Sequence, residues 1–115
     1  MNAFDYITRG MTAEKIVTVT PEMTVGHFVT QMPMVYATPM MILHMEMASG
    51  SSIASHLPEG FVSVGMDVKV RHLAATPVGR TVRAISRVVQ VDSKMTNQLG
   101  TTMATAKAEI QLPKK

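Results

Sequence analysis

Residues 36–55 read YATPMMILHMEMASGSSIAS. Thr38 followed by Pro39 predicts a helix start, with Thr38 as N-cap and Pro39 in the first turn. The run from Met40 to Ala48 is apolar but for His44 and Glu46. A helix apolar on nearly every side is expected to be buried on nearly every side. A chain of 115 residues can enclose a whole helix only by wrapping its other segments around it. Those segments read as strands, so the expected fold is α+β: one curved antiparallel sheet around a long central helix over about 39–55. Glu46 then becomes a carboxylate on the most enclosed element, where a charge is costly unless paired or put to use. Gly50-Ser51-Ser52 predicts fraying or a kink toward the helix's far end.

Downstream, residues 61–72, FVSVGMDVKVRH, alternate cleanly. Val62, Val64, Met66, Val68 and Val70 share one side of a strand, and Ser63, Gly65, Asp67, Lys69 and Arg71 the other. His72 is in phase with the apolar set and is expected to point toward the helix. Gly65 marks a close approach of another backbone or a ligand at mid-strand. Residues 80–92, RTVRAISRVVQVD, make the next strand, with a phase break at Ala84-Ile85 that predicts a bulge there. Residues 101–112 form the last, with Ala104, Ala106, Ala108, Ile110 and Leu112 on one face. Upstream, 13–20 reads as an edge or first strand closed by Pro21. Residues 21–35 are ambiguous between a short helix and a turn, 1–11 read as a loose lead-in, and 113–115 as a tail. The whole is expected to be a single domain, residues 1–115. One helix cannot cover both faces of such a sheet, so the second face calls for a partner subunit.

Composition agrees with association: 46% of residues are apolar and only 17% charged. Of the twelve Met residues, four lie between Met40 and Met47, where flexible thioethers fill an irregular core or line an adaptable apolar pocket. With no Cys, disulfide and thiolate chemistry are excluded. The net charge of +3 suits an anionic small ligand. Lys and Arg are scattered, and three Phe and two Tyr supply almost no stacking platform, so no nucleic-acid partner is expected. Neither a signal peptide nor a membrane span is evident, so a cytoplasmic location is expected. HMEMASGSSIASH contains no close His pair, and no metal or cofactor is expected.

Three residues are candidates for chemistry: Thr38 at the helix start, Glu46 two turns in, and His72 at a strand end. Along a helix Thr38 and Glu46 are roughly 12 Å apart in rise, so a site using both either spans two subunits or needs Thr38 to swing off the helix. Glu46 offers a base or a nucleophile, and His72 a proton donor or a partner for the carboxylate. The hydroxyl can orient water or attack. The helix N-terminus at Pro39, Met40 and Met41 offers amides to an acyl carbonyl or developing oxyanion. Together these groups suit hydrolysis of an activated acyl compound. Each also has a structural reading: Thr38 as a cap, Glu46 paired with Lys69 or Arg71, His72 as a hydrogen-bonded core histidine. His44 reads as structural or interfacial, and His56 as exposed.

VYATPMMILHMEMAS, followed by SVGMDVKVRHLAATPVGRTVRAISRVVQVD, resembles the hotdog-fold thioesterases, and within them the fluoroacetyl-CoA thioesterase-like subgroup. The resemblance spans about residues 13–92 and rests on two motifs in order at suitable separation. It implies a long helix along a curved antiparallel sheet, in homodimers or tetramers with acyl-thioester sites at the subunit interface. It places the family's Thr, Glu and His on Thr38, Glu46 and His72, and its conserved glycine on Gly65. The implied activity is hydrolysis of a small acyl-CoA. The alternatives are a non-catalytic binder of acyl-CoA or another small hydrophobic ligand, and a structural dimerisation module. Family members usually carry a further strand after the Val91-Asp92 region and a closing His-Arg ending. Here one strand's worth of sequence follows, and SKMTNQLGTTM reads as a divergent replacement or a missing strand.

Overall fold

In the computed structural model the described residues are 7–57, 59–60, 62–63, 68–96 and 102–111, with 91–96 and 102–111 described by backbone alone. Strands β1 (Thr12–Thr18), β2 (Thr81–Thr96) and β3 (Thr102–Gln111) form an antiparallel sheet in the order β1-β2-β3. A short helix, α1 (Val25–Phe28), and the long helix α2 (Thr38–Ala54) fall between β1 and β2. Helix α2 packs against all three strands. This is the α+β hotdog arrangement, a long helix laid on a small antiparallel sheet.

The sheet's inner face is built by alternation. On β2 the even residues Val82, Ala84, Ser86 and Val88 are buried, and Val17 meets Val82 across the β1 ladder. Ser86 can sit in this apolar row because its hydroxyl donates to Ser49 Oγ on α2 at 3.1 Å. From the helix, Met41, His44, Ala48 and Ser52 are buried, a stripe of three- and four-residue steps. Val17, Val19, Tyr36, Met41 and Val82 form the core cluster, with Met23, Met40, Met45 and Val70 packed against it.

Several expectations need correction. Helix α2 is buried along one stripe only: Leu43 and Met47 are 45% and 43% exposed, and Glu46 is exposed as well. A sheet on one side of a helix leaves the opposite side open, and among the described residues Leu43, Glu46 and Met47 stay exposed there. The helix begins at Thr38 itself, with Ala37 as its N-cap and no side-chain cap hydrogen bond. Residues 62–63 and 68–73 join no ladder, and Val62 is 86% exposed. Alternation identifies a strand-compatible stretch, but a strand also needs an edge to pair with. Val64, Gly65, Met66 and Asp67 lie outside the described residues. The phase break in β2 falls later than Ala84-Ile85: register against β3 shifts between Val88 and Gln90, and again between Asp92 and Thr96. The described part of the lead-in is tied down, with Ile7 buried and Gly10 N–H donating to the Val88 carbonyl at 2.8 Å.

The ambiguous stretch resolves into a 3-10 turn, Pro21–Met23, followed by α1. Thr24 joins the two: its hydroxyl donates to the Pro21 carbonyl at 2.7 Å and accepts from His27 N–H at 3.2 Å.

Candidate active site

The site begins with how two distant segments are brought to the start of α2. Tyr36 N–H donates to the Thr76 carbonyl at 2.8 Å, and Val35 forms an isolated bridge with Pro77. Ala37 N–H donates to the Met23 carbonyl at 2.9 Å. The ATP segment after His72 is thus fastened beside the helix start, and Val70 packs on the core. Within this frame Thr38 Oγ1 lies 2.8 Å from His72 Nδ1. The threonine hydroxyl is therefore engaged by the imidazole and does not cap the helix. The other ring nitrogen, His72 Nε2, is buried with no hydrogen-bond partner among the described residues. A buried unpartnered nitrogen costs on the order of 1–3 kcal/mol, and a functional role is one explanation for tolerating it.

Behind this pair lies a second one. The Tyr36 hydroxyl is hydrogen-bonded to His44 Nδ1, and both residues are buried. The two rings are nearly parallel, at 10° with centroids 5.7 Å apart. The Tyr36 ring also meets the His72 ring edge to face, at 78° and 6.2 Å. Burial pushes the phenol up to about 12, so Tyr36 stays protonated and donates. Burial, and then the nearby Lys15 ammonium, hold His44 below the usual histidine value, so its Nδ1 stays a neutral acceptor. The contact of Tyr36 with both histidines was not anticipated from the sequence. A signal for His44 was present: it falls in step with Met41 and Ala48 on the helix's buried stripe.

Glu46 stands apart from these groups within one chain. It follows His44 by two residues, which is about 200° around a helix, and so points to the opposite side. It is exposed and makes no hydrogen bond or ion pair among the described residues, with Lys69 and Arg71 or otherwise. Beyond it along the same face runs an open, mainly apolar groove of about 380 Å³, lined by Met47, Gly50, Ala54, Leu57, Val62 and neighbouring serines. None of Thr38, His72 or Glu46 lines it.

The expected amide donors at the helix start are also redirected. Pro39 has no N–H, and the Met40 and Met41 amides both donate to the Ala37 carbonyl at 3.0 Å. Met41 is a core residue, Met40 is half-buried and Pro39 is exposed. Gly65 lies outside the described residues. Among the described residues no three His, Cys, Asp or Glu side chains gather as metal ligands would, and no helix is long and apolar enough to cross a membrane.

Comparison with known proteins gives the family. A family model described as FlK, fluoroacetyl-CoA-specific thioesterase, matches residues 19–109. The solved structure of the fluoroacetyl-CoA thioesterase FlK is 32% identical with a TM-score of 0.70, covering 75% of this chain and 68% of that one. A variant of that enzyme in complex with fluoroacetate and CoA is 28% identical with a TM-score of 0.71, covering 90% of this chain and 82% of its own. A hypothetical protein of Thermus thermophilus, described as a thioesterase superfamily member, is 32% identical with a TM-score of 0.69, covering 92% and 85%. No curated protein sequence matches the chain. On a match spanning residues 19–109 and a shared fold, the chain belongs to the FlK family of fluoroacetyl-CoA-specific-thioesterase-like proteins, within the hotdog thioesterase superfamily.

Proposed function

We propose that this protein hydrolyses a small acyl-CoA thioester in a site shared by two copies of the chain. The observation that carries the reading is the Thr38–His72 hydrogen bond at the start of α2, with His72 Nε2 buried and unpartnered beside it. With the Thr38 hydroxyl donating to Nδ1, Nε2 carries the ring proton and is a donor in need of an acceptor. The substrate's carbonyl oxygen is that acceptor, and Glu46 comes from the partner copy as the base, because in its own chain it faces away.

In this mechanism the Glu46 carboxylate takes a proton from water as the oxygen adds to the thioester carbonyl. His72 Nε2–H stabilises the charge that develops on the substrate. The tetrahedral intermediate then collapses, the C–S bond breaks, and the proton held by Glu46 passes to the departing sulfur. The products are a carboxylic acid and free CoA thiol. Thr38 fixes the imidazole and is proposed to orient the water as well. Pro39, Met40 and Met41, with Gly65, are proposed to border the acyl group. The exposed cations Lys69, Arg71 and Arg80 suit the CoA phosphates. Selectivity for the fluoroacetyl group is not carried over, since it depends on the detailed pocket.

A panel of acyl-CoAs of graded chain length, read by release of free thiol, tests this directly. The parent is expected to turn over a short-chain member, and Glu46→Gln to lose about a hundredfold or more in kcat while remaining folded. A folded E46Q protein as fast as the parent would exclude Glu46 as the base. Saturable binding of acyl-CoA by the parent with no thiol release would instead support a non-catalytic acyl-CoA binder.

A further inference from the structure

Tyr36 and His44 are buried, and Tyr36 meets His72 of the proposed site from behind. Both are buried polar residues in a core that would accept two apolar ones. We propose that they form a positioning pair for His72, an inference that rests on the hydrolase reading above.

The physical argument starts from what an imidazole needs to act from one nitrogen. The Thr38 bond fixes His72 at Nδ1, but one hydrogen bond leaves the ring free to rotate about that contact. A second surface is required to set its plane, and the Tyr36 ring supplies it edge to face. A phenol held only by packing can slide along its neighbour. Here its hydroxyl is fastened to His44 Nδ1, and the His44 ring lies parallel to it, so that Tyr36 is held at its oxygen and across its face. Among the described residues the other acceptor for the hydroxyl is the Met40 carbonyl at 3.5 Å, a much poorer bond. His44 is in turn carried on the buried stripe of α2. The chain of contacts is therefore helix, His44, Tyr36, His72. Each link is a ring or hydrogen-bond contact between buried or half-buried groups.

Tyr36→Phe keeps the ring and removes the hydroxyl. His44→Leu keeps bulk and removes the acceptor. His44→Asn keeps an acceptor near the Nδ1 position. The pair predicts about a tenfold fall in kcat for Y36F and for H44L with KM little changed, since a misplaced group slows chemistry more than it weakens binding. The double variant is expected to be no slower than either single one, because both remove the same bond. H44N is expected to recover most of the loss. Nitrogen-15 spectra of the His72 ring give a readout that does not depend on turnover: a single tautomer in the parent and H44N, and a mixture in Y36F and H44L. Parent-like kcat in the single variants, losses that multiply in the double variant, or an unchanged His72 tautomer would each overturn the pairing. If the parent hydrolyses no acyl-CoA, the hydrolase reading fails, and the His72 spectra still decide whether the pair sets that ring.

Discussion

His44 and Glu46 are two residues apart on one helix and meet opposite surroundings. The histidine is enclosed against Tyr36 and the sheet, and the carboxylate is in the open. This reverses the ordinary expectation that the charged member of a buried helix is the one under strain. The consequence for His44 is a linkage to pH. Its ordinary value is 6.5, and burial with the Lys15 charge lowers it in the folded chain. Between the two values the unfolded state binds more protons, so the contribution is fully present above about pH 6.5 and is lost as pH falls through the folded value. Protonation also turns Nδ1 into a donor, which deprives the Tyr36 hydroxyl of its acceptor. The parent is expected to lose more stability than H44L on going from about pH 7.5 to pH 5, measured as the shift in urea midpoint. Equal shifts in the two proteins would show that His44 is not the group responsible.

At the scale of elements, the helix start depends on the loop before it. Gly26 N–H donates to the Pro33 carbonyl at 2.9 Å, and Val25 N–H to the Val35 carbonyl at 2.9 Å. A Cβ at position 26 would lie 2.6 Å from both the Met32 carbonyl oxygen and Met34 Sδ. The thioether can move, but the carbonyl belongs to the backbone that leads into Tyr36 and Thr38. Gly26→Ala is therefore expected to destabilise the fold by about 1–3 kcal/mol, seen as a lowered thermal midpoint, and to loosen the helix start. An unchanged midpoint would mean that residues 32–34 shift freely. The same region shows what the sequence could and could not convey. The central helix is legible because Thr-Pro begins a run apolar but for His44 and Glu46. Strand β2 is legible as a strand, but the expected phase break at Ala84-Ile85 is absent, since Val82, Ala84, Ser86 and Val88 keep one buried row. For residues 62–63 and 68–72, which join no ladder, alternation misleads because it reports only which side chains share a face, while pairing depends on a neighbour far away in sequence. Thr38 reads as a cap as well as a candidate for chemistry, and the cap fails for a similar reason. Its local context favours capping, and the imidazole that claims its hydroxyl comes from 34 residues downstream. Tyr36 gave no sign of its role, because nothing local indicates that one phenol touches two histidines.

For the whole molecule, the question is which chain supplies Glu46. Its face of α2 carries Leu43 and Met47, 45% and 43% exposed, an apolar border unusual around a lone carboxylate in water. A two-fold interface on this face would bury both and, on the proposed function, would bring each Glu46 toward the other chain's helix start, with residue i meeting j and j meeting i. Each of the two sites would then hold Thr38 and His72 from one copy and Glu46 from the other. Subunit mixing decides this with two inactive proteins. In a heterodimer of Thr38→Ala with Glu46→Gln, one shared site carries both lesions and the other carries neither. Random exchange makes half of the dimers heterodimers, so the mixture is expected to regain about a quarter of the parent's turnover per chain. If Glu46 serves its own chain's Thr38 and His72, every site keeps one lesion and mixing restores nothing. The measurement is thiol release from acyl-CoA after co-refolding, with each variant refolded alone as the baseline. Heterodimers that form, as seen by native mass spectrometry, and remain inactive would remove the shared site and leave Glu46 outside the chemistry that Thr38 and His72 perform.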